Sequence, residues 1–515
     1  MEITSCVQAA PRRNGSRAVS IAAMALLLLF WLFVGANVSY AHDDWDWGLP
    51  AGVEQWLTGY FNNRFVGNFF VIIMTRSALV KALVMGGGMF AVPLLLALLA
   101  AGGARERFLP LYLAANALTL LTPVEVWQQT YGWVSGFANY GVSAAALLGW
   151  LLLLRRLLRP EGARHPLALG GILLPYTVAL CLFVENLTVL VLLAALVLLG
   201  YALAAHRGRL ALVLVLVGAA AGFFFMFSNR IYAELGSSGT TMGGLRTLSF
   251  EPGSPLPEVL LAILERYFVY LLPEFTTKNP ACLLLLTATS ACWLWRSRWR
   301  ALALLALFPG VCTVLYLWFP HVFSETGSWI CCLLCWALVL LAAPLCAGTR
   351  LRRAVRTGLV LLTLGSLAPF AVSLDSGGRL YLLLYVLLTL LFLDAAEPLL
   401  TTRPGIACFA AGLVVLLGLW GHVYFQIGQC NALREQIVIE ALENGDEIAV
   451  LPTESYEVWW GRNPTPGWRS IRYRDFFGIP HELSLIFLPV GSFEHWPEIT
   501  QEDWDNAFYY GYAFD

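Results

Sequence analysis

Residues 18–38 read "AVSIAAMALLLLFWLFVGANV", and this apolar run stops just before the charged stretch "HDDWDW" at residues 42–47. A helix needs about 20 mainly apolar residues to cross the hydrocarbon core of a bilayer, so the run predicts a transmembrane helix. Comparable runs recur along the 515 residues, which are 59% hydrophobic and 13% charged. A soluble protein of this length would need more polar surface. The sequence therefore predicts an all-α polytopic membrane protein.

The distribution of arginine predicts which side each turn occupies. The net charge of −1 indicates no particular partner, and we expect no binding of nucleic acid. Short basic turns alternate with longer turns that hold most of the acids. The basic turns contain Arg12, Arg13 and Arg17; Arg105 and Arg107; Arg155, Arg156, Arg159 and Arg164; Arg207 and Arg209; Arg296, Arg298 and Arg300; and Arg350, Arg352, Arg353 and Arg356. By the positive-inside rule the N-terminus is cytoplasmic.

About 13 transmembrane helices fit this pattern. Their predicted ranges are 18–40, 82–101, 108–124, 141–154, 166–184, 187–205, 210–227, 281–295, 301–319, 329–347, 357–374, 380–396 and 405–424. An odd number places the C-terminus outside the cytoplasm. The first run exceeds the roughly 7–15 apolar residues of a signal peptide, so we interpret it as an uncleaved span.

The predicted domains are a transmembrane domain over 1–424, with a first extracytoplasmic loop at 41–81, and a polar tail over 425–515. In the tail, "LREQIVIEALENGDEIAVLP" at 433–452 indicates a helix, a glycine stop and a strand, which predicts a small extracytoplasmic α/β subdomain. The stretch "PEVLLAILERYFVYLLPEF" at 257–275 predicts an amphipathic interfacial helix or part of a further span.

The acids of HDDWDW are candidate catalytic groups. A carboxylate close to hydrocarbon is costly to desolvate, which raises its pKa unless a cation is near, and a raised pKa suits a general base. Asp43 and Asp44 are also suited to hold Mg²⁺ or Mn²⁺. The alternative is that the acids mark the water interface, with Trp45 and Trp47 as belt aromatics.

Arg64, in "YFNNRF" at 60–65, is a candidate phosphate ligand, because it lies outside against the positive-inside trend and its guanidinium binds phosphate through two bonds. The alternative is that Arg64 pairs with Asp43 or Asp44 and orders the loop. More polar residues lie at span ends on the same predicted side, where each is either part of a site or an interfacial anchor. They are Glu125, Trp127, Asn139, Tyr140, Glu185, Asn186, Asn229 and Arg230, with weaker candidates at His321, Glu325, Asp375 and Arg379.

The ordered set "HDDWDW…NNRF…WVSGFANY…VENLT…SNRIY", with the closing "EDWDNAFYYGY", resembles the GT-C superfamily of integral-membrane glycosyltransferases that use polyprenyl-phosphate sugars. It is more closely similar to a bacterial multipass family often grouped with glycosyltransferases. The resemblance covers most of residues 1–240 and the tail. It implies a GT-C-like fold in the bacterial plasma (inner) membrane, with Asp43 or Asp44 as catalytic base or beside a metal. Asp46 lies outside the motif and receives no role.

The resemblance and the residues together predict a reaction. A sugar moves from a polyprenyl-phosphate donor to a glycan or lipid acceptor of the cell envelope, with inversion at the anomeric carbon. A first-loop aspartate takes the acceptor proton, and Arg64 stabilises the departing lipid phosphate. Asn139, Tyr140, Glu185, Asn186 and Arg230 are expected to surround donor and acceptor. Alternatives are a lipid-linked glycan flippase or a non-catalytic protein of envelope assembly.

Overall fold

The computed structural model describes residues 13–158, 165–205, 208–241, 246–318, 325–374, 377–453, 456, 468–488, 500–502 and 508–510. Helices dominate this part of the chain, and short strands occur in two places. The α-helices are α1 Arg13–Asn37, α2 Asp43–Gly48, α3 Pro50–Thr58, α4 Phe65–Thr75, α5 Ala78–Ala101, α6 Arg105–Leu120, α7 Val124–Gln128, α8 Val134–Gly136, α9 Val142–Leu157, α10 Pro166–Cys181, α11 Glu185–Ala205, α12 Arg209–Phe227, α13 Arg230–Ser238, α14 Leu256–Glu265, α15 Leu272–Lys278, α16 Pro280–Trp295, α17 Arg300–Trp318, α18 Glu325–Leu345, α19 Arg350–Gly365, α20 Leu382–Leu400, α21 Arg403–Asn444 and α22 Trp468–Phe477.

Shorter helical turns and strands complete the element order. Phe137–Gly141 is a π-helical turn that joins α8 to α9, and Arg266–Leu271 is a π-helical turn that joins α14 to α15. Ala368–Ala371 and Gly378–Tyr381 are 3₁₀-helices. The strands are β1 Thr240–Thr241, β2 Arg246–Thr247, β3 Ile448–Pro452, β4 Ser484–Leu488 and β5 Phe508–Tyr510.

Among the described residues, 8 helices are long and apolar enough to cross a membrane. They are Arg17–Asn37, Ala78–Ala101, Val134–Leu157, Glu185–Leu203, Arg209–Phe227, Arg350–Ala371, Gly378–Leu400 and Arg403–Asn444. Five shorter apolar helices accompany them: Phe65–Thr75, Pro166–Cys181, Pro280–Trp295, Arg300–Cys312 and Trp329–Leu345. The all-α polytopic class is thus confirmed, whereas the number of 13 crossings stays a prediction.

The span predicted at 108–124 does not have the expected form. The helix there, α6, has 16 residues and begins with Arg105, Glu106 and Arg107, so it is shorter than the run of about 20 apolar residues that a crossing needs. From Pro110 to Leu120 nearly all of its residues are buried. An apolar stretch that packs inside the bundle has the same hydropathy as one that faces lipid, and the sequence pattern does not separate the two.

The bundle core depends on close helix contacts and buried aromatic rings. A Cβ atom added at Gly86 of α5 would lie 2.6 Å from the Cα of Leu32 in α1, so the glycine permits these helices to touch through their backbones. The indole of Trp31 donates to Asn116 Oδ1 at 2.9 Å and stacks near Trp127. These contacts join α1, α5 and α6 below the first loop.

The described basic clusters from Arg105 onward gather at one end of the bundle, which we call the arginine face (residues 98–107, 155–158, 203–205, 208–209, 294–300, 346–356 and 394–403). There Arg155 donates to the carbonyl of Leu99, and Arg356 pairs with Asp394 at 2.7 Å. The opposite end, the motif face, consists of residues 39–64, 122–140, 182–186, 228–241, 246–250, 371–374 and 377–379. Contacts there include the amide of Leu374 donating to Thr247 at 2.8 Å. Arg12, Arg159, Arg164, Arg207 and the side chain of Arg13 lie outside the described residues.

The tail contains the predicted helix, glycine stop and strand. Helix α21 has 42 residues and ends at Gly445, whose φ of 74° suits glycine. Strand β3 pairs in parallel with β4, which pairs antiparallel with β5. The predicted domain boundary at 424/425 falls inside α21, so one continuous helix connects the bundle to the tail.

The predicted interfacial stretch at 257–275 is helical. It lies in α14, the following π-helical turn and α15, and none of the α14 residues is buried. Large apolar side chains such as Leu256 and Leu261 are exposed. Arg266 donates to the backbone carbonyl of Ser373 at 2.6 Å, which fixes this helix against the motif face.

Candidate functional site

Asp44 is an internal hydrogen-bond acceptor. Its side chain is completely buried. Oδ1 accepts from the backbone amide of Ser135 at 2.8 Å and from the Ser135 hydroxyl, and Oδ2 accepts from the amide of Ala41 at 2.9 Å. The carboxyl group thus fastens α2 to α8 and closes the loop that leads into α2. His42, immediately before α2, has a φ of 52°, a conformation that non-glycine residues hold only where their surroundings impose it.

Burial raises the pKa of Asp44 from 3.8 to about 7. The hydrogen bonds from Ser135 and Ala41 oppose this shift, and the neighbouring charge of Asp43 adds to it. A carboxyl group with this pKa is suited to act as a base near neutrality. Its burial argues against that role, because a base must come within hydrogen-bond reach of the proton that it takes.

The remaining acids of HDDWDW have different surroundings. Asp43 is exposed on α2. Asp46 pairs with Arg472 of α22 at 2.9 Å. Burial raises the pKa of Asp46, although the charge of Arg472 acts to lower it. The predicted pair of acids is therefore one exposed carboxylate beside one enclosed carboxyl group.

Trp45, the first of the two tryptophans in this motif, belongs to the core of the tail. Trp45 is 1% exposed and packs edge-on to Tyr473 of α22, with ring centroids 5.4 Å apart. Buried residues around it include Val438 of α21 and Leu451 of β3. Trp45 is therefore a buried anchor between the first loop and the tail, not the belt aromatic that the alternative interpretation predicted.

A second group of side chains, the charge cluster, consists of Arg64, Glu185, Tyr232 and Arg246. Glu185 Oε2 lies 2.9 Å from Arg64 Nε and 2.7 Å from Arg64 Nη2. Glu185 Oε1 accepts from the Tyr232 hydroxyl at 2.6 Å and lies 3.3 Å from Arg246 Nη1. Two guanidinium groups thus share one carboxylate. The side chains of Arg64, Glu185 and Arg246 keep 22%, 19% and 18% of their surface exposed, so the cluster is largely but not completely enclosed.

The charge cluster corrects one expectation and adds one residue. Arg64 pairs with Glu185, and not with Asp43 or Asp44 as the alternative proposed. Burial acts to lower the pKa of Arg64, but the Glu185 carboxylate outweighs it and raises that pKa. Sequence reasoning missed Arg246, which lies on β2 and follows the Gly/Ser-rich stretch "GSSGTTMGG" of residues 236–244 in the sequence. Its position among the few basic residues of a predicted outside loop was the available signal.

Asn139 connects the region of Asp44 to that of the charge cluster. Its Nδ2 donates to the carbonyl of Ser135 at 3.0 Å, and the amide of the same Ser135 donates to Asp44. Its Oδ1 is buried without a hydrogen-bond partner among the described residues. A Cβ atom at Gly67 would lie 2.2 Å from this oxygen, so glycine is needed there. The amide of Val66, the residue before Gly67, donates to the carbonyl of Leu182 at 3.1 Å. Leu182 precedes Glu185 by three residues, so this bond connects the two regions.

Tyr140 and Asn186 lie beside these groups and are both buried. Tyr140 is close enough to interact electrostatically with Arg64. Both side-chain amide atoms of Asn186 lack a partner among the described residues. Buried polar atoms usually have partners, including ordered water. The interior beside the charge cluster is therefore polar enough to hold water or a ligand group.

Arg230, on α13 two residues before Tyr232, has its guanidinium over the ring of Tyr60 at 5.7 Å from the centroid. Asn229 caps α13 by accepting from the amide of Ile231 at 3.0 Å. Glu125 is exposed, while Trp127 is buried and donates to the Tyr424 hydroxyl at 2.7 Å. The backbone amide of Arg379 donates to Gln129 at 3.3 Å. His321, Asp375 and the side chain of Glu325 lie outside the described residues.

The geometry of Asp43 and Asp44 does not fit a shared Mg²⁺ or Mn²⁺ ion. Both oxygens of Asp44 already accept from Ser135 and Ala41, and the side chain has no exposed surface. Nor does any group of three His, Cys, Asp or Glu residues that could hold a metal occur in the described part of the chain.

No protein-family model, curated protein or solved structure matches this chain.

Proposed function

We propose that the protein is a polyprenyl-phosphate-dependent glycosyltransferase of the bacterial plasma membrane, with its motif face on the extracytoplasmic side. One observation carries the proposal: in the charge cluster two arginines share the single carboxylate of Glu185. The cluster therefore keeps one unit of positive charge that its own residues do not neutralise. A partly exposed guanidinium pair is suited to bind phosphate oxygens, and it lies at the end of apolar helices where a lipid phosphate would sit.

The proposed reaction needs a base and a stabilised leaving group. The acceptor hydroxyl gives its proton to a carboxylate as its oxygen bonds to the anomeric carbon of the donor sugar. The bond between that carbon and the phosphate oxygen breaks, and its electron pair stays on the phosphate. Arg64 and Arg246 stabilise the negative charge that develops there, which is how fixed cations accelerate such a step.

Asp43 is the better candidate for the base, because it is exposed and adjoins the anchored Asp44. Asp44 then acts as a positioning residue: its bonds to Ser135 and Ala41 hold α2 in place. Asn139 and Tyr140 lie between α2 and the charge cluster and support both. This division assigns the two adjacent acids different roles, where sequence alone left the choice open.

The test is single-turnover transfer by the purified protein in lipid nanodiscs, supplied with radiolabelled polyprenyl-phosphate sugars, with and without EDTA. Asp43→Asn should bind the donor and lose about 10²-fold or more in rate. Asp446→Asn, an exposed acid of the tail, is the matched control and should keep the wild-type rate. Absence of transfer from every donor by the wild type, or a normal rate for Asp43→Asn, would contradict the proposal.

The phosphate role has its own test by donor binding. Arg64→Ala and Arg246→Ala should weaken binding of the lipid donor, and Arg64→Lys should weaken it less than Arg64→Ala, because lysine keeps the charge but loses the two-pronged geometry. Arg209→Ala, on the arginine face, is the control. If both alanine variants bind the donor with wild-type affinity, the proposal that Arg64 and Arg246 bind its phosphate is contradicted.

Orientation is tested with alkaline phosphatase fusions. Fusions after Asp46 and after Asp515 should be active, and fusions near Arg159 and Arg353 should not. An inactive C-terminal fusion would contradict the odd number of spans.

A second candidate function is a non-catalytic protein of envelope assembly. It is favoured by the docking of HDDWDW on the tail through Trp45 and the Asp46–Arg472 pair, since a motif used for docking needs no chemistry. In that case Asp43→Asn would support normal envelope assembly in cells, whereas Trp45→Ala would not.

A further inference from the structure

A cleft of about 250 Å³ opens between the first loop and α13. Its walls are formed by the end of the loop, by α13 and by β1. The lining residues are Tyr60, Phe61, Arg230, Ile231, Glu234 and Thr241. Pockets for drug-sized ligands measure roughly 300–1,000 Å³, so this cleft accommodates one ring-sized group.

The cleft contains a cation and an anion that do not neutralise each other. Arg230 and Glu234 lie one helical turn apart and both line the cleft. Neither forms an ion pair with a residue in the described part of the chain. Arg230 instead lies over the ring of Tyr60. Both charged groups therefore remain available to donate to and accept from a ligand.

Aromatic rings line the same space. Tyr60 is 53% exposed, and its ring meets that of Phe61 edge-on with centroids 4.9 Å apart. The exposed ring of Tyr60 offers a flat apolar face beside the charged groups, and the half-buried ring of Phe61 stands edge-on to it. Thr241 adds a buried hydroxyl without a partner among the described residues.

The cleft is held in shape by an amide pair below it. Asn229 Nδ2 donates to the carbonyl of Gly59 at 2.6 Å and to Asn63 Oδ1 at 3.0 Å. Asn63 Nδ2 donates to the carbonyl of Phe225 at 2.6 Å. These bonds connect the residue before Tyr60, the start of α13 and the end of α12. A ligand therefore meets a preformed site and does not have to order it.

We propose that this cleft binds one neutral sugar ring. The apolar face of a pyranose, with its C–H bonds, packs on an aromatic ring, while its hydroxyl groups both donate and accept hydrogen bonds. Arg230 donates to hydroxyl oxygens and Glu234 accepts from hydroxyl hydrogens, and bonds of this kind to charged groups are the stronger ones. A phosphate fits less well, because Glu234 repels it. The inference concerns binding and holds whether or not the protein transfers sugars.

The experiment measures saturation-transfer NMR on the full chain in nanodiscs, with methyl glycosides of glucose, galactose, mannose and N-acetylglucosamine as probes. At least one glycoside should bind the wild type. Tyr60→Ala and Arg230→Ala should each weaken its affinity about tenfold, the effect of losing one good contact. Tyr270→Ala is the matched control, because Tyr270 is 54% exposed and distant along the chain.

Two outcomes would overturn the proposal. One is that no glycoside binds the wild type, or that each glycoside binds the wild type and Tyr60→Ala with equal affinity. The other is displacement of the bound glycoside by inorganic phosphate together with tighter phosphate binding by Glu234→Gln, which would make the cleft an anion site. Normal size-exclusion and circular dichroism profiles of each variant confirm that loss of binding is local, since Tyr60 and Arg230 are exposed.

Discussion

The enclosed carboxyl group of Asp44 should make the junction between α2 and α8 sensitive to pH. When the junction opens, water reaches Asp44 and its pKa returns from about 7 towards 3.8. Because the closed state has the higher pKa, it holds a proton over this range that the open state releases. Closure is thus most stable below about pH 4, loses stability as the pH rises to about 7, and changes little above that.

The size of the effect follows from the same values. Each pKa unit corresponds to about 1.4 kcal/mol. At about pH 5 the open state has already released its proton, whereas the closed state retains its own until about pH 7, so closure should lose about 3 kcal/mol between about pH 5 and about pH 8. Asp44→Asn removes the titrating group and should remove this loss.

Hydrogen–deuterium exchange measures the opening directly. The amides of Ala41 and Ser135 donate to Asp44 and report on the junction. Their opening free energies, corrected for the intrinsic pH dependence of exchange, should fall across this range in the wild type and stay level in Asp44→Asn. Asp43 and Tyr40, the other titratable groups that interact with Asp44, remain in the variant and cancel in the comparison. A wild-type value that rises with pH, or an equal fall in Asp44→Asn, would refute the reasoning.

Three further substitutions test the contacts that build the site, each measured as the change in unfolding free energy or apparent melting temperature in detergent. Trp45→Ala should destabilise the docked tail by about 3–5 kcal/mol, because it leaves a cavity where a buried indole was. Proteolysis of the tail should become fast while the bundle stays intact. A wild-type rate of tail proteolysis would contradict this expectation. Glu185→Ala should cost about 3–5 kcal/mol by leaving Arg64 without its carboxylate, and Glu54→Ala, an exposed acid of α3, should cost little. Gly67→Ala should cost about 1–3 kcal/mol because the new Cβ meets Asn139 Oδ1 at 2.2 Å, while Gly87→Ala, with nothing within 4 Å, is the control that should remain near wild type.

Local patterns in the sequence predicted the features that depend on neighbouring residues. The apolar runs correspond to helices such as α1 and α12, and the order of helix, Gly445 and β3 is the predicted one. The basic turns lie together on the arginine face where the chain is described. Hydropathy and turn residues act within one or two helical turns, which is why these features could be read from the sequence.

The partners of the site residues could not be predicted, because they lie far apart in the chain. Asp44 binds Ser135 across 91 positions, and Arg64 binds Glu185 across 121. Sequence reasoning placed all four segments on one side of the membrane but had no means to pair them. It therefore considered Asp43 and Asp44 of the same loop as partners of Arg64, whereas the partner in space, Glu185, follows a different span.

The charge density of HDDWDW has a structural explanation that still leaves one acid for chemistry. Asp44 fastens α2 to α8, and Asp46 binds the tail through Arg472. Asp43, Asp44 and Asp46 all belong to the six-residue helix α2. Because the contacts of Asp44 and Asp46 hold this helix in place, they also fix the backbone of Asp43. A catalytic base must be held in position while remaining accessible, and Asp43 combines an anchored backbone with an exposed side chain. Asp43→Asn therefore separates the two interpretations of the motif: it leaves both anchors intact, so a large loss of transfer would reflect the missing base and not a displaced loop.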